Sequence, residues 1–253
     1  MNRTKNIHDN FRPHEGFLDD IITNYDSKGE DYGNQKRNSL KLFKLEEKTL
    51  NVKSFRVPNV INQIAYRFLR KSKAQRSFEY AKELQNLGVG TPQPVAYYEY
   101  TSSFLFNKSY YISEHLECDL TYRELITDFN YPNYDPILRA FTRFTFDLHE
   151  KGINFLDHSP GNTLITTDNN TYKFYLVDLN RMQFVSMDFN ARMKNFARLS
   201  KYKHMVEIMS DEYAKCYGKS YEEVFNLMWK EVQLFRGKIE RKKKLKKLLK
   251  FWK

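Results

Sequence analysis

Cysteine is scarce in this chain, with two thiols, Cys118 and Cys216, in 253 residues. Two thiols can neither staple a domain of this length nor supply a zinc ligand set, and neither sits in a nucleophile motif, so a reducing compartment is expected. Long apolar runs are missing as well. The opening MNRTKNIHDNFRPHEGF has no apolar centre, and nowhere do about eighteen apolar residues follow one another, so neither signal-directed export nor a membrane-spanning helix is expected. A glycine-rich G-x-G-x-x-G phosphate loop is absent. So is a general excess of positive charge. Of the net +11, residues 236–253 account for +9, with ten Lys or Arg against Glu240 alone. That leaves a nearly neutral body with a cationic end, and no specific nucleic-acid binding is expected of it.

What the chain does have is material for a core, 41% hydrophobic and 16% aromatic residues, arranged in an α+β pattern. Residues 1–16 are polar and aperiodic and read as a flexible arm. Phe17–Tyr25 reads as a strand. A turn-rich segment carrying Gly29 and Gly33 follows, then strands Ser39–Leu45 and Thr49–Phe55, giving three antiparallel strands. Lys53 lies on the last of these, with Val52 and Ser54 pointing to the opposite face. Residues 59–87 read as two helices or a kinked pair. One apolar stripe is Ile61, Ile64, Ala65 and Phe68, and a second is Phe78, Ala81 and Leu84. Gly88 to Pro94 ends the helix, and strands Val95–Thr101 and Tyr110–Leu116 bracket a turn near Asn107. Helical patterns then dominate, at Thr121–Ile126, Asp135–Lys151, Asp188–Met209 and Tyr221–Phe235.

The densest chemistry lies between Asn154 and Arg181, NFLDHSPGNTLITTDNNTYKFYLVDLNR. Asp157 and Asn162 occupy a D-H-S-P-G-N loop in which Pro160 and Gly161 shape the turn. Strands Thr163–Thr167 and Lys173–Val177 form a hairpin that ends at Asp178. A hairpin brings its two ends together, so Asn162 and Asp178 can face one ion although sixteen residues separate them. Oxygen donors alone suit Mg2+ better than zinc. With Asp157 one loop away as an acceptor for a hydroxyl proton, this is the layout a phosphotransferase needs. A polar turn before an ordinary hairpin is the alternative for the stretch taken alone.

The order of these parts resembles a small protein-kinase-like fold: β-hairpins, Lys53, a helix bearing Glu79, a connection at Glu114–Asp119, a helix, D-x-x-x-x-N, a hairpin and Asp178. Within that superfamily, R-K-S-K-A-Q-R-S-F-E-Y-A, G-V-G-T-P-Q-P-V-A and N-F-L-D-H-S-P-G-N resemble the lipopolysaccharide kinases that phosphorylate Kdo or heptose of the inner core. The resemblance implies two lobes, 17–116 and 117–235, and ATP-dependent phosphorylation of a sugar hydroxyl on a lipid-linked acceptor. It implies Asp157 as catalytic base, Asn162 and Asp178 as Mg2+ ligands, and Lys53 on the ATP phosphates. Glu79 would orient Lys53, with Glu83 one turn later as a competitor, and Gly29 and Gly33 would frame a phosphate-covering turn. Aminoglycoside and choline kinases share the D-x-x-P-G-N type of loop, and a non-catalytic pseudokinase scaffold is the further alternative. The chain departs from the protein-kinase pattern at Phe155-Leu156, where His-Arg is usual, at Leu179-Asn180, where Phe-Gly is usual, and in its glycine-poor lid. No A-P-E motif follows, so a peptide substrate is not expected.

On a helix, Leu245, Leu248, Leu249 and Trp252 share one stripe among lysines. The segment 238–253 therefore reads as an interfacial amphipathic tail for an anionic membrane surface. The expected place is the cytoplasm, peripheral to the inner face of the inner membrane.

Overall fold

The periodicity of apolar residues explains most of the elements, and the computed structural model describes residues 1–33, 38–169 and 171–251, with only the backbone for 250 and 251. Two compact units emerge, Met1–Glu117 with Asp178–Asn180, and Cys118–Val177 with Arg181–Lys253. The change of unit after Glu117 falls one residue from the expected lobe boundary.

The first unit is built on a six-stranded antiparallel sheet of β1 (Asn2–Ile7), β2 (Glu30–Asp31), β3 (Ser39–Leu45), β4 (Lys48–Phe55), β5 (Pro94–Thr101) and β6 (Phe106–Glu114). The spatial order is β1-β5-β6-β4-β3-β2. Three helices accompany it, α1 (Glu15–Thr23), α2 (Val60–Phe68) and α3 (Lys73–Asn86). Two expectations are corrected here. Residues 2–7 are no loose arm, because β1 pairs with β5 in register from Asn2–Thr101 to Ile7–Ala96, and Lys5 is anchored on Asp19 at 2.7 Å. Phe17–Tyr25 is no strand, because Leu18, Ile21, Ile22 and Tyr25 recur at helical spacing and all four are buried. Helix α1 thus supplies a face of the core that also contains Leu50, Val52, Val95, Tyr98 and Ile112.

The region 59–87 resolves into two helices. Helix α3 starts at Ser72, whose hydroxyl accepts from the Gln75 N–H at 3.1 Å, and it buries Phe78, Ala81 and Leu84 as its spacing predicts. Helix α2 buries none of its residues, contrary to the reading of its stripe as core. The turn between β5 and β6 closes at Ser102–Leu105, with the Ser102 N–H on the Leu105 carbonyl at 2.8 Å, rather than near Asn107.

The second unit contains β7 (Leu120–Thr121), α4 (Tyr122–Thr127), α5 (Tyr134–Glu150), β8 (Ile153–Phe155), β9 (Thr163–Asp168), β10 (Thr171–Leu176), β11 (Met182–Phe184), α6 (Phe189–Asn195), α7 (Lys203–Tyr217) and α8 (Tyr221–Phe251). Its core joins Phe141 of α5 and Met193 of α6 to Met209 and Tyr213 of α7 and Val224 and Met228 of α8. The single helix expected over 188–209 is broken, with a 3-10 turn at Phe196–Arg198 before α7 begins. Helix α8 runs on from the expected Phe235 to Phe251, so the basic tail is its last part. Leu245, Leu248 and Leu249 are exposed, and Trp252 lies outside the described residues. Among the described residues no helix is long and apolar enough to cross a membrane.

Gly29 illustrates how a residue singled out for chemistry can have a packing reason. It adopts φ +83°, and a Cβ there would sit 2.5 Å from the buried Phe43 ring. Gly33, at φ +67°, has open space around it. Gly29→Ala is expected to destabilise the protein by about 2–3 kcal/mol and Gly33→Ala by about 1 kcal/mol, read from urea midpoints. Equal effects would remove the packing argument.

Candidate active site

Strand β4 carries Lys53 through the middle of the first unit's sheet, opposite Leu40 of β3 and Tyr111 of β6. Its ammonium reaches the Asp178 carboxylate, with Nζ 2.7 Å from Oδ1. The same oxygen accepts from the Asn180 side-chain amide at 2.7 Å. Both partners of the ion pair are largely shielded, with side-chain exposures of 15% for Lys53 and 33% for Asp178. Removing either would leave a poorly solvated charge without compensation.

Asp178 is also held in an unusual backbone state. Its φ is +60°, a left-handed conformation shared among non-glycine residues by Glu46, Asn133 and Asn169. Glu46 sits in the β3–β4 turn, Asn169 in the β9–β10 turn and Asn133 before α5, where such geometry is ordinary. Asp178 instead ends the run that follows β10. Its conformation is fixed by side-chain partners, the condition under which a disfavoured backbone state persists at functional sites. The departure Leu179-Asn180 has a local explanation here: Leu179 is buried and Asn180 supplies the amide that orients Asp178.

Glu79 does not hold Lys53. Its carboxylate is bound by Lys71 at 2.7 Å and by the Gln75 side chain at 3.0 Å. Lys71 lies in the link between α2 and α3, and Gln75 is one helical turn before Glu79, so both partners are local and close at little entropic cost. The expected helix glutamate is therefore replaced by Asp178 as the lysine's counter-charge.

In the second unit, the loop between β8 and β9 carries Asp157 and Asn162. The Asn162 side-chain amide donates to the Asp157 carbonyl at 2.8 Å, and the Asn162 carbonyl accepts from the Val177 N–H at 3.0 Å. The β9–β10 hairpin does bring its ends together, in register from Thr163–Leu176 to Asp168–Thr171. Pro160 and Gly161 do form the expected tight turn, closed by the Asn162 N–H on the Ser159 carbonyl at 2.9 Å, although Gly161 is not at positive φ. A Cβ there would instead fall 2.5 Å from the Arg123 guanidinium of α4.

The residue that sequence reasoning missed is Arg198. It follows α6 in the 3-10 turn, and its Nη2 lies 2.8 Å from Asp157 Oδ1. Its guanidinium also stands over the Phe235 ring of α8 at 5.7 Å. Forty-one positions separate it from Asp157, and nothing in its neighbourhood distinguished it from other basic residues.

Asn195 fixes the loop from beneath. Its side-chain N–H groups donate to Asn154 Oδ1 at 3.1 Å and the Phe155 carbonyl at 2.9 Å. Its Oδ1 lies 3.2 Å from His149 Nε2 and 3.0 Å from His158 Nδ1. An amide oxygen only accepts, so both rings present N–H there, and His149 Nδ1 is left to accept from the Tyr213 hydroxyl at 2.9 Å. Burial pushes His149 down to about 3 and His158 down to about 4. Both are neutral at pH 7. His158 Nε2 is buried without a hydrogen-bond partner, and charging this ring would leave a buried N–H unsatisfied as well as a buried charge.

Depressed histidines bind protons in the unfolded chain before the folded one. Their effect is absent above the unfolded value near 6.5 and grows as pH falls toward 4, so stability is lost on acidification through that window. His158 alone accounts for roughly 3 kcal/mol by pH 4. Urea midpoints between pH 7 and pH 4 are expected to fall steeply, and His158→Gln, which keeps a neutral amide, should flatten the fall. An unchanged slope would show that His158 titrates normally.

The geometry leads to comparison with known proteins. The sequence model of the lipopolysaccharide kinase (Kdo/WaaP) family matches residues 32–218. The structure is similar to that of WaaP in complex with acyl carrier protein, with 17% identity, 94% of this chain and 98% of that chain covered, and a TM-score of 0.65. A MAP kinase from Leishmania major aligns with 16% identity over 84% of this chain and 66% of that chain, with a TM-score of 0.47. No curated protein matches. The fold is protein-kinase-like, and the match over most of the sequence makes this chain a member of the lipopolysaccharide kinase (Kdo/WaaP) family.

Proposed function

We propose that the protein transfers the γ-phosphoryl group of ATP to a sugar hydroxyl, on Kdo or heptose, of a lipid-linked lipopolysaccharide inner core. The observation that carries this reading is the Lys53–Asp178 pair at 2.7 Å. It sets an ammonium beside a hard carboxylate, the two charge types that a polyphosphate and its cation require.

Asp157 is the proposed base. Its carboxylate accepts the proton of the acceptor hydroxyl as that oxygen bonds to the γ-phosphorus and the bond to the β-phosphate oxygen breaks, releasing ADP. Arg198 orients Asp157 through its contact with Oδ1, and the Asn162 amide steadies the Asp157 backbone. Lys53 neutralises the ATP phosphates, with Gly29 and Gly33 framing the turn that covers them. Asn162 and Asp178 offer the oxygen donors that suit Mg2+, which would supply charge neutralisation on the nucleotide. The Lys-rich end of α8 is proposed to rest on anionic lipid and concentrate the enzyme near its acceptor.

Incubation with ATP, Mg2+ and lipid-linked Kdo, beside an aminoglycoside and choline as rival acceptors, is expected to add one phosphate to the Kdo lipid, read by mass spectrometry. Phosphorylation of a rival alone would reject the acceptor class. Asp157→Ala and Asp178→Asn should each lower kcat by about 1,000-fold or more with unchanged circular dichroism. Full activity in either rejects that residue's role. Removing residues 237–253 should weaken sedimentation with phosphatidylglycerol vesicles at low salt, and unchanged sedimentation would remove the tail from the account.

A further inference from the structure

Helix α2 is amphipathic, and it is inside out. Around its axis Val60, Ile64, Phe68, Ile61, Ala65 and Leu69 occupy one half of the circumference, with Asn62, Tyr66, Arg70, Gln63 and Arg67 on the other. A helix docked on a protein normally buries its apolar half. Here the polar half is the attached one. Gln63 donates to the Pro58 carbonyl at 2.9 Å, Arg67 Nε donates to the Ser102 carbonyl at 3.2 Å, and the Tyr66 ring lies 5.5 Å from that of Phe106. The apolar half faces outward, with Ile61 79% and Leu69 81% exposed and Val60, Ile64 and Phe68 between 46% and 58%. Phe104, in the β5–β6 turn that Arg67 grips, is exposed as well.

So large a contiguous apolar face calls for an occupant, and charge selects among the candidates. From Phe55 to Arg76 the sequence holds Arg56, Arg67, Arg70, Lys71, Lys73 and Arg76 and no acidic residue. A second copy of the chain in a two-fold contact would set these like charges against one another. An anionic surface would be attracted. A recess of about 530 Å³ also opens at the foot of α2, lined among others by Arg56, Asn59, Asn62 and Lys73, with charge and donors for a phosphate headgroup.

We propose that α2 is a membrane-contacting element, lying along an anionic lipid surface with its apolar half among the acyl chains. Its flanking cations then lie at headgroup level, as in interfacial helices. The inference rests on the lipid-linked acceptor of the proposed function only for its physiological purpose. Vesicle binding is measured without nucleotide or sugar, so a failed phosphotransfer assay and a failed binding assay are distinguishable.

The test uses the full chain carrying Ile61→Ser, Phe68→Ser and Leu69→Ser together, sedimented with vesicles of phosphatidylglycerol and phosphatidylethanolamine in salt high enough to screen the α8 tail. Since the replaced side chains are exposed, the melting temperature should hold. Binding is expected to fall by about tenfold or more, whereas Ile61→Leu with Phe68→Leu should keep it. Unchanged binding of the triple variant would overturn the proposal. So would a wild-type dimer in solution that the same three substitutions turn into a monomer, because the apolar face would then be an interface between copies.

Discussion

The contact between Lys53 and Asp178 is the constraint on which the first unit's candidate site depends. It joins a sheet strand to a residue 125 positions later, and it brings Asp178–Asn180 into the unit otherwise formed by Met1–Glu117. The ion pair also accounts for the left-handed backbone at Asp178. A disfavoured conformation is tolerable where a partly buried carboxylate is claimed by both an ammonium and an amide. Lys53 needs no glutamate from α3 under these conditions, and Glu79 is free to cap the short link to α2 through Lys71.

A comparable economy operates around Asp157. One amide side chain, Asn195, serves two buried imidazoles and two groups of the β8 segment. With Arg198 three residues further on, the end of α6 and the 3-10 turn after it support the loop and hold its carboxylate. The loop thus owes its form to a polar network centred on two buried, neutral imidazoles. Such networks are rigid when satisfied and sensitive to added charge.

Basic residues are distributed to match. They gather at the end of α8, in the second unit, and around α2, in the first, while the rest of the sequence carries a small net negative charge. In both places exposed leucine, isoleucine or phenylalanine accompanies them. An element that turns its apolar half outward gives up burial within its own domain, which natural sequences keep only where something else covers that half.

Much of this was legible from sequence because it is local. The β9–β10 hairpin, the strand position of Lys53, the D-x-x-x-x-N loop and the buried face of α3 all follow from period, turn chemistry and capping within a few residues of one another. Helix α1 also carries its signal locally, since Leu18, Ile21, Ile22 and Tyr25 follow a helical period. Other features were decided by tertiary structure alone. Arg198 reaches Asp157, Asp178 displaces Glu79 as the partner of Lys53, residues 2–7 add an edge strand, and α2 faces outward. Each depends on which distant group completes a charge, a ladder or a core, and one-dimensional periodicity records that a helix has an apolar side without recording what lies against it.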